Sequence, residues 1–208
     1  MWKDLSPQWR TAFEEAWAAY QSGSVPIGAA VYAPDGTLLV RERNRSGEPD
    51  APYPAIIHAE ANAIRRLTSR GGYDIRAVAL YTTMEPCPMC MGTAVMGHIR
   101  HLRYAARDPY CGAVHWKDED PYIHGKQLDY THVGGETELV QLTLQLCYEI
   151  KRVAAGGGAG VLAKLGALRP EALRRAERLS ERQALERLAR DGAPCGEVYD
   201  YILAESDT

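Results

Sequence analysis

The stretch AVALYTTMEPCPMC, residues 77–90, decides the fold. Its first half, Ala77 to Thr83, is apolar enough for a strand covered on both faces. Pro86-Cys87-Pro88 then breaks the extended pattern. A short helix follows through Val95 and Met96, and His101 to Ala106 reads as the next strand. Strand, helix, strand with apolar strands implies a right-handed crossover between parallel neighbours. Working toward the N-terminus, Ile56 to Ser69 carries a helical stripe of Ala59, Ala63, Ile64 and Leu67, stopped by Gly71-Gly72. Before it, Val25–Ala33 and Thr37–Arg43 flank the turn Pro34-Asp35-Gly36 as a hairpin. Ser6-Pro7 opens a first helix with Trp9, Phe13, Ala16, Trp17 and Tyr20 on one face, ended by Gly23. The order α-β-β-α-β-α-β predicts an α/β fold with a mixed central sheet covered by helices.

Toward the C-terminus the reading is less regular. Asp108 to Lys126 is long, polar and aromatic, and loops of that length in compact domains are usually functional. Gln127 to Val133 is a candidate fifth strand. Glu138 to Val153 fits a helix, but its LVQLTLQL core also fits a strand, and the two stay open. Ala154 to Gly160 is Gly-rich and reads as a linker. Beyond it, Glu171 to Arg190 is dense in Glu, Arg, Ala and Leu and reads as helical, with a last short helix up to Leu203 after Asp191-Gly192-Ala193-Pro194. Leu173, Ala176, Leu179, Leu185 and Leu188 form an approximate apolar face. The expected organisation is a compact domain over residues 1–153, a linker over 154–160 and a helical extension over 161–208.

The 208 residues are 46% hydrophobic and 25% charged, which excludes a wholly disordered chain. Lys and Arg number 24 against 27 Asp and Glu, so the net charge is −3 and the global electropositivity of a strong nucleic-acid binder is absent. No apolar run approaches the roughly 18 residues of a membrane span. No signal-peptide pattern opens the chain. The five cysteines form no regular framework, which points to a reducing cytoplasm.

Two segments carry chemistry: His58-Ala59-Glu60 and Pro86-Cys87-Pro88-Met89-Cys90. Each opens a predicted helix. Cys87 and Cys90, three apart, can turn both sulfurs to one point in a first helical turn. The positive end of the helix favours the thiolate, which is the ligating form. Two thiolates and the His58 imidazole suit zinc, with a fourth position left for a water whose pKa falls to about 7. Glu60, two residues past His58, is placed to move protons without ligating the metal. Taken singly, Cys-x-x-Cys also fits a redox pair. A structural zinc site is the other alternative, with Cys111 or His98 as fourth ligand.

Together, His-x-Glu, a strand and Pro-Cys-x-x-Cys resemble the signature of zinc-dependent nucleobase deaminases. From about Val25 to Arg107 the chain resembles the cytidine deaminase superfamily. More narrowly it resembles the branch of bacterial tRNA-specific adenosine deaminases and guanine deaminases. The resemblance rests on Val25-Pro26-Ile27-Gly28-Ala29, Arg43-Asn44, His58-Ala59-Glu60-Ala61, Glu85-Pro86-Cys87-Pro88-Met89-Cys90 and Ala106-Arg107-Asp108. It implies a three-layer α/β/α cytidine-deaminase-like fold over 1–153. It implies zinc on His58, Cys87 and Cys90, and Glu60 as proton shuttle. It also implies base contacts from Asn44 and the backbone at Ala59, a ribose contact from Asp108, and a homodimer.

The substrate is less legible. Overall acidity and mixed-charge final helices depart from the tRNA enzymes, because phosphate contacts dominate nucleic-acid affinity. The expected substrate is a small nucleobase or nucleoside, purine-like, with adenosine-to-inosine deamination of tRNA as the alternative. A non-catalytic module with structural zinc is the alternative of another class. Tyr110, Trp116, Tyr122, His124 and Tyr130 either stack on a base or cover the core or a dimer seam.

Overall fold

A computed structural model describes residues 1–51, 53–68 and 72–205. Helix α1 (Pro7–Gln21) starts at Ser6 with Pro7 in its first turn. Strands β1 (Gly28–Tyr32) and β2 (Leu38–Arg43) form the antiparallel hairpin, with a register shift between Val31 and Tyr32. A 3-10 turn at Pro54–Ile56 leads to α2 (Ala59–Thr68). The expected helix began at Ile56. Pro54 and the turn delay the α-helical start to Ala59, and part of the expected Gly71-Gly72 stop lies outside the described residues. Strand β3 (Ala79–Met84), α3 (Pro88–Met96) and β4 (His101–Ala106) make the crossover unit. β5 (Asp129–His132) closes a five-stranded sheet of order β2-β1-β3-β4-β5. β1 pairs antiparallel with β3, whereas β3–β4 and β4–β5 are parallel.

The long polar loop holds two single-turn helices, α4 (Trp116–Glu119) and α5 (Pro121–His124). Glu138–Val153 lies within one helix, α6 (Gly135–Ala154). The alternation that suggested a strand arises because Thr143, Gln145 and Glu149 are buried beside Leu142, Leu144 and Leu146. Almost the whole middle of α6 is inside the molecule, so polarity ceased to report its exposed face.

The extension forms α7 (Gly160–Leu168), α8 (Pro170–Glu181), α9 (Ala184–Arg190) and α10 (Cys195–Ala204). The expected single helical pattern over Glu171–Arg190 is broken at Gln183, whose φ of 48 is left-handed. Two apolar clusters fill the two faces of the sheet. Ala29, Val31, Leu80 and Leu102 pack with α2 and α3 on one face. On the other, α1 and α6 pack with Leu165, Ala176, Leu179, Leu185 and Tyr199 of the extension. Side chains of the segment after residue 160 thus share one apolar cluster with α1 and α6. Trp17 Nε1 donates to the Ala193 carbonyl at 2.9 Å, tying that segment to α1.

Candidate active site

The helices α2 and α3 begin beside each other at the end of the parallel strand β3. In an α/β sheet this is where crossovers leave a crevice. Cys87 is the residue before the first turn of α3, with Pro88 at the first helical position, where its missing N–H costs no hydrogen bond. Cys90 follows one turn later and is buried. His58 immediately precedes α2. Its Nδ1 lies 3.4 Å from Cys87 Sγ and 3.5 Å from Cys90 Sγ. The three donor atoms lie within 4.8 Å of one another. Among the described residues they form the group able to hold a metal ion, and neither Cys111 nor His98 belongs to it. The four-ligand alternative therefore lacks its fourth side chain there.

The electrostatics fit a divalent cation. A hydrogen bond from Cys90, with a second contribution from His58, pulls the Cys87 thiol down to about 4. The same Cys87 contact, joined by burial and the Glu60 charge, pushes Cys90 up. The hydrogen bond to Cys87 raises His58. Two sulfurs and one nitrogen in this spacing are a donor set suited to zinc.

Glu60 stands in the first turn of α2, 3% exposed. Thr82 of β3 donates to its Oε1 at 3.0 Å, and Cys90 Sγ donates to Oε2 at 3.4 Å. Burial pushes this carboxyl above its ordinary range. The carboxylate is thus held against the metal-ligand cluster while remaining able to carry a proton.

These groups open onto a cavity of about 200 Å³. Asn44 and Asp108 also line it. Asn44, just past β2, accepts from Ser46 N on Oδ1 at 2.8 Å. Asp108 turns its carboxylate toward its own loop, where Oδ1 accepts from Tyr110 N and Cys111 N. Ala59 is fully buried at the start of α2. Of the loop aromatics, Tyr110 reaches the cavity. Trp116 packs against the α2–α3 cluster, Tyr130 is buried and donates to the Ile99 carbonyl, and Tyr122 and His124 are exposed. None of those four lines the cavity.

The cavity has a wall that the sequence reading missed: Gln145 and Glu149 of α6, and Val161 and Leu165 of α7. A signal existed. Gln141, Gln145 and Glu149 recur every four residues in an otherwise apolar helix, which aligns them on one face. All three are buried. Four carboxylates, Glu60, Glu85, Asp108 and Glu149, line the cavity, and among the described residues no Lys or Arg does.

Residues 4–106 match the model of the cytidine and deoxycytidylate deaminase zinc-binding region. A tRNA-specific adenosine deaminase of Agrobacterium fabrum is 38% identical over 104 residues, covering 50% of this chain and 66% of that enzyme. A tRNA(Ile)-lysidine synthase of Deinococcus radiodurans is 37% identical over 97 residues, but the match spans only 16% of its length and 46% of this chain. One solved chain, from a study of A-to-I editing by deaminases at the wobble position of transfer RNA, is 30% identical. It superposes with a TM-score of 0.55, covering 66% of this chain and 97% of that one.

Proposed function

Because the chain belongs to the cytidine and deoxycytidylate deaminase family, we propose that it hydrolytically deaminates a small amino-substituted nucleobase or nucleoside, purine-like in shape. The observation that carries this reading is the juxtaposition of Glu60 with the His58, Cys87 and Cys90 donors at a cavity of about 200 Å³. A zinc ion on those three donors supplies Lewis-acid activation of a water at neutral pH. Glu60 takes a proton from the attacking water and hands one to the ring nitrogen as oxygen adds to the amine-bearing carbon. A second proton reaches the amine through the same carboxylate, the C–N bond breaks, and ammonia leaves. Thr82 holds one Glu60 oxygen so that the other faces the metal ligands. Asn44 and the backbone at Ala59 are the proposed base contacts. Asp108 is proposed near a ribose, although its Oδ1 is already engaged by its own loop.

Charge favours a small neutral substrate. Four carboxylates around the cavity repel phosphate. The relatives named above favour the second reading, adenosine-to-inosine conversion in tRNA. One experiment separates the two: ammonia release from guanine, adenine, cytosine and their nucleosides, run beside inosine formation on an anticodon stem-loop. Ammonia from a free base or nucleoside supports the proposal. Inosine in the stem-loop with silence on every small compound overturns it.

A homodimer is part of the proposal. Exposed Met96 and Tyr122, whose hydroxyl donates to Met96 Sδ at 3.8 Å, are candidate contacts for it. A reducing, cytoplasmic setting suits five cysteines that are all free. No helix among the described residues is long and apolar enough to cross a membrane.

A further inference from the structure

The α6 wall of the cavity ends in an acceptor with nothing to accept. Gln145 is 4% exposed and Glu149 is 3% exposed, and both line the cavity. Gln145 Nε2 donates to Glu149 Oε1 at 3.1 Å. Arg152 Nε donates to Glu149 Oε2 at 2.7 Å. Both carboxylate oxygens therefore act as acceptors. The amide nitrogen of Gln145 must face them, and its oxygen must face away. That Oε1 is buried and has no hydrogen-bond partner. Buried acceptors are nearly always paired, so a lone one on a cavity wall points to a donor brought by a ligand.

Asn44 supplies the complement. Its Oδ1 is taken by Ser46 N, which leaves Nδ2 as a donor. The side chains lining the cavity with Glu60 thus include one unpaired acceptor, Gln145 Oε1, and one donor, Asn44 Nδ2. A heterocycle can satisfy both with an acceptor, either a ring nitrogen or a carbonyl oxygen, and a ring N–H, apart from the amine that leaves. In adenine- and cytosine-type bases the only such N–H is on the nitrogen that carries the sugar in a nucleoside. We propose that Gln145 is a specificity-determining residue whose Oε1 accepts a hydrogen bond from that ring N–H, so that the site selects free bases over nucleosides. Glu149 and Arg152 are positioning residues that fix the amide. This rests on the deaminase reading above and narrows its substrate class to free bases, in place of the ribose contact proposed for Asp108, whose Oδ1 is engaged by its own loop.

Binding tests it without turnover. The zinc-loaded full chain carrying Glu60→Gln is titrated calorimetrically with adenine, adenosine, cytosine and cytidine. At least one base is expected to bind about tenfold or more tightly than its nucleoside, the loss that follows when a site's buried acceptor goes unpaired. Adding Gln145→Met, close in volume and without the acceptor, is expected to weaken that base about tenfold, leave the nucleoside within about twofold and collapse the ratio. Should Gln145→Met fold poorly, Glu149→Gln frees the amide to turn and lowers the ratio in the same direction. The ratio before any change at position 145 is already a test. Equal binding of base and nucleoside, a ratio indifferent to both variants, equal weakening of nucleosides, or binding of none of the four overturns the inference. If the binding pattern holds while the unsubstituted chain releases no ammonia, the deaminase reading fails and the recognition role stands.

Discussion

Glu60 and Cys87 sit in one small volume but carry separable duties. Glu60 accepts from the candidate metal donor Cys90 Sγ at 3.4 Å, and Thr82 orients it. Glu60→Gln keeps an acceptor for Thr82 and removes only the carboxylate proposed to move protons. It is expected to hold stoichiometric zinc and lose at least about 100-fold in turnover, the scale of a positioned acid–base group. Cys87→Ala removes one of three ligands and is expected to lose the metal itself. Metal analysis alongside ammonia release distinguishes the two, and full turnover by Glu60→Gln would refute the proton-shuttle role. The two donor segments were legible at this scale because each spacing acts within a single helical turn. Gln145 and Glu149 were not recognised, because nothing local reveals that the fourfold stripe on α6 meets a site built some 60 residues earlier.

At the scale of elements, α1 lies on β1 at a distance only glycine allows. A Cβ on Gly28 would come within 2.1 Å of the Ala12 carbonyl oxygen and 2.4 Å of Ala16 N. Both are backbone atoms, so no rotamer change relieves the clash. Gly28→Ala is expected to destabilise the chain by about 3 kcal/mol or more by overpacking, measured as a shift in urea midpoint without change in slope. A stability within 0.5 kcal/mol of the parent, the ordinary surface range, would contradict the close contact. The hairpin, the crossover unit and their order were readable because turn residues bound short apolar runs at the strands, and a period near four survives in helices with one buried face. α6 lost its period by being buried on most sides, and α7 follows a glycine run that reads as a linker. Arg107, at the end of β4, pairs with buried Glu138 of α6 at 2.9 Å. That partnership fastens α6 beside the strand end from which Asp108 departs.

The whole molecule binds the extension to the site. Val161 and Leu165 line the cavity, while Leu165, Leu179, Leu185 and Tyr199 share a cluster with Phe13 and Trp17. Removing residues 160–208 would bare the apolar faces of α1 and α6. We expect the shortened chain to lose a cooperative thermal transition and ammonia release together, followed by circular dichroism and the same assay. A shortened chain that melts at the parent temperature would show the extension to be dispensable. From sequence alone came the α/β class and the candidate donors His58, Cys87 and Cys90 with Glu60, because strand–helix periodicity and the spacing inside each of the two segments are local, although the meeting of His58 with the two cysteines is tertiary. Only the tertiary structure decided that α6 and α7 complete the cavity and that Trp116, Tyr122, His124 and Tyr130 stay out of it. The physical reason is that cavity walls are made by side chains distant in sequence, whose meeting depends on how the layers pack.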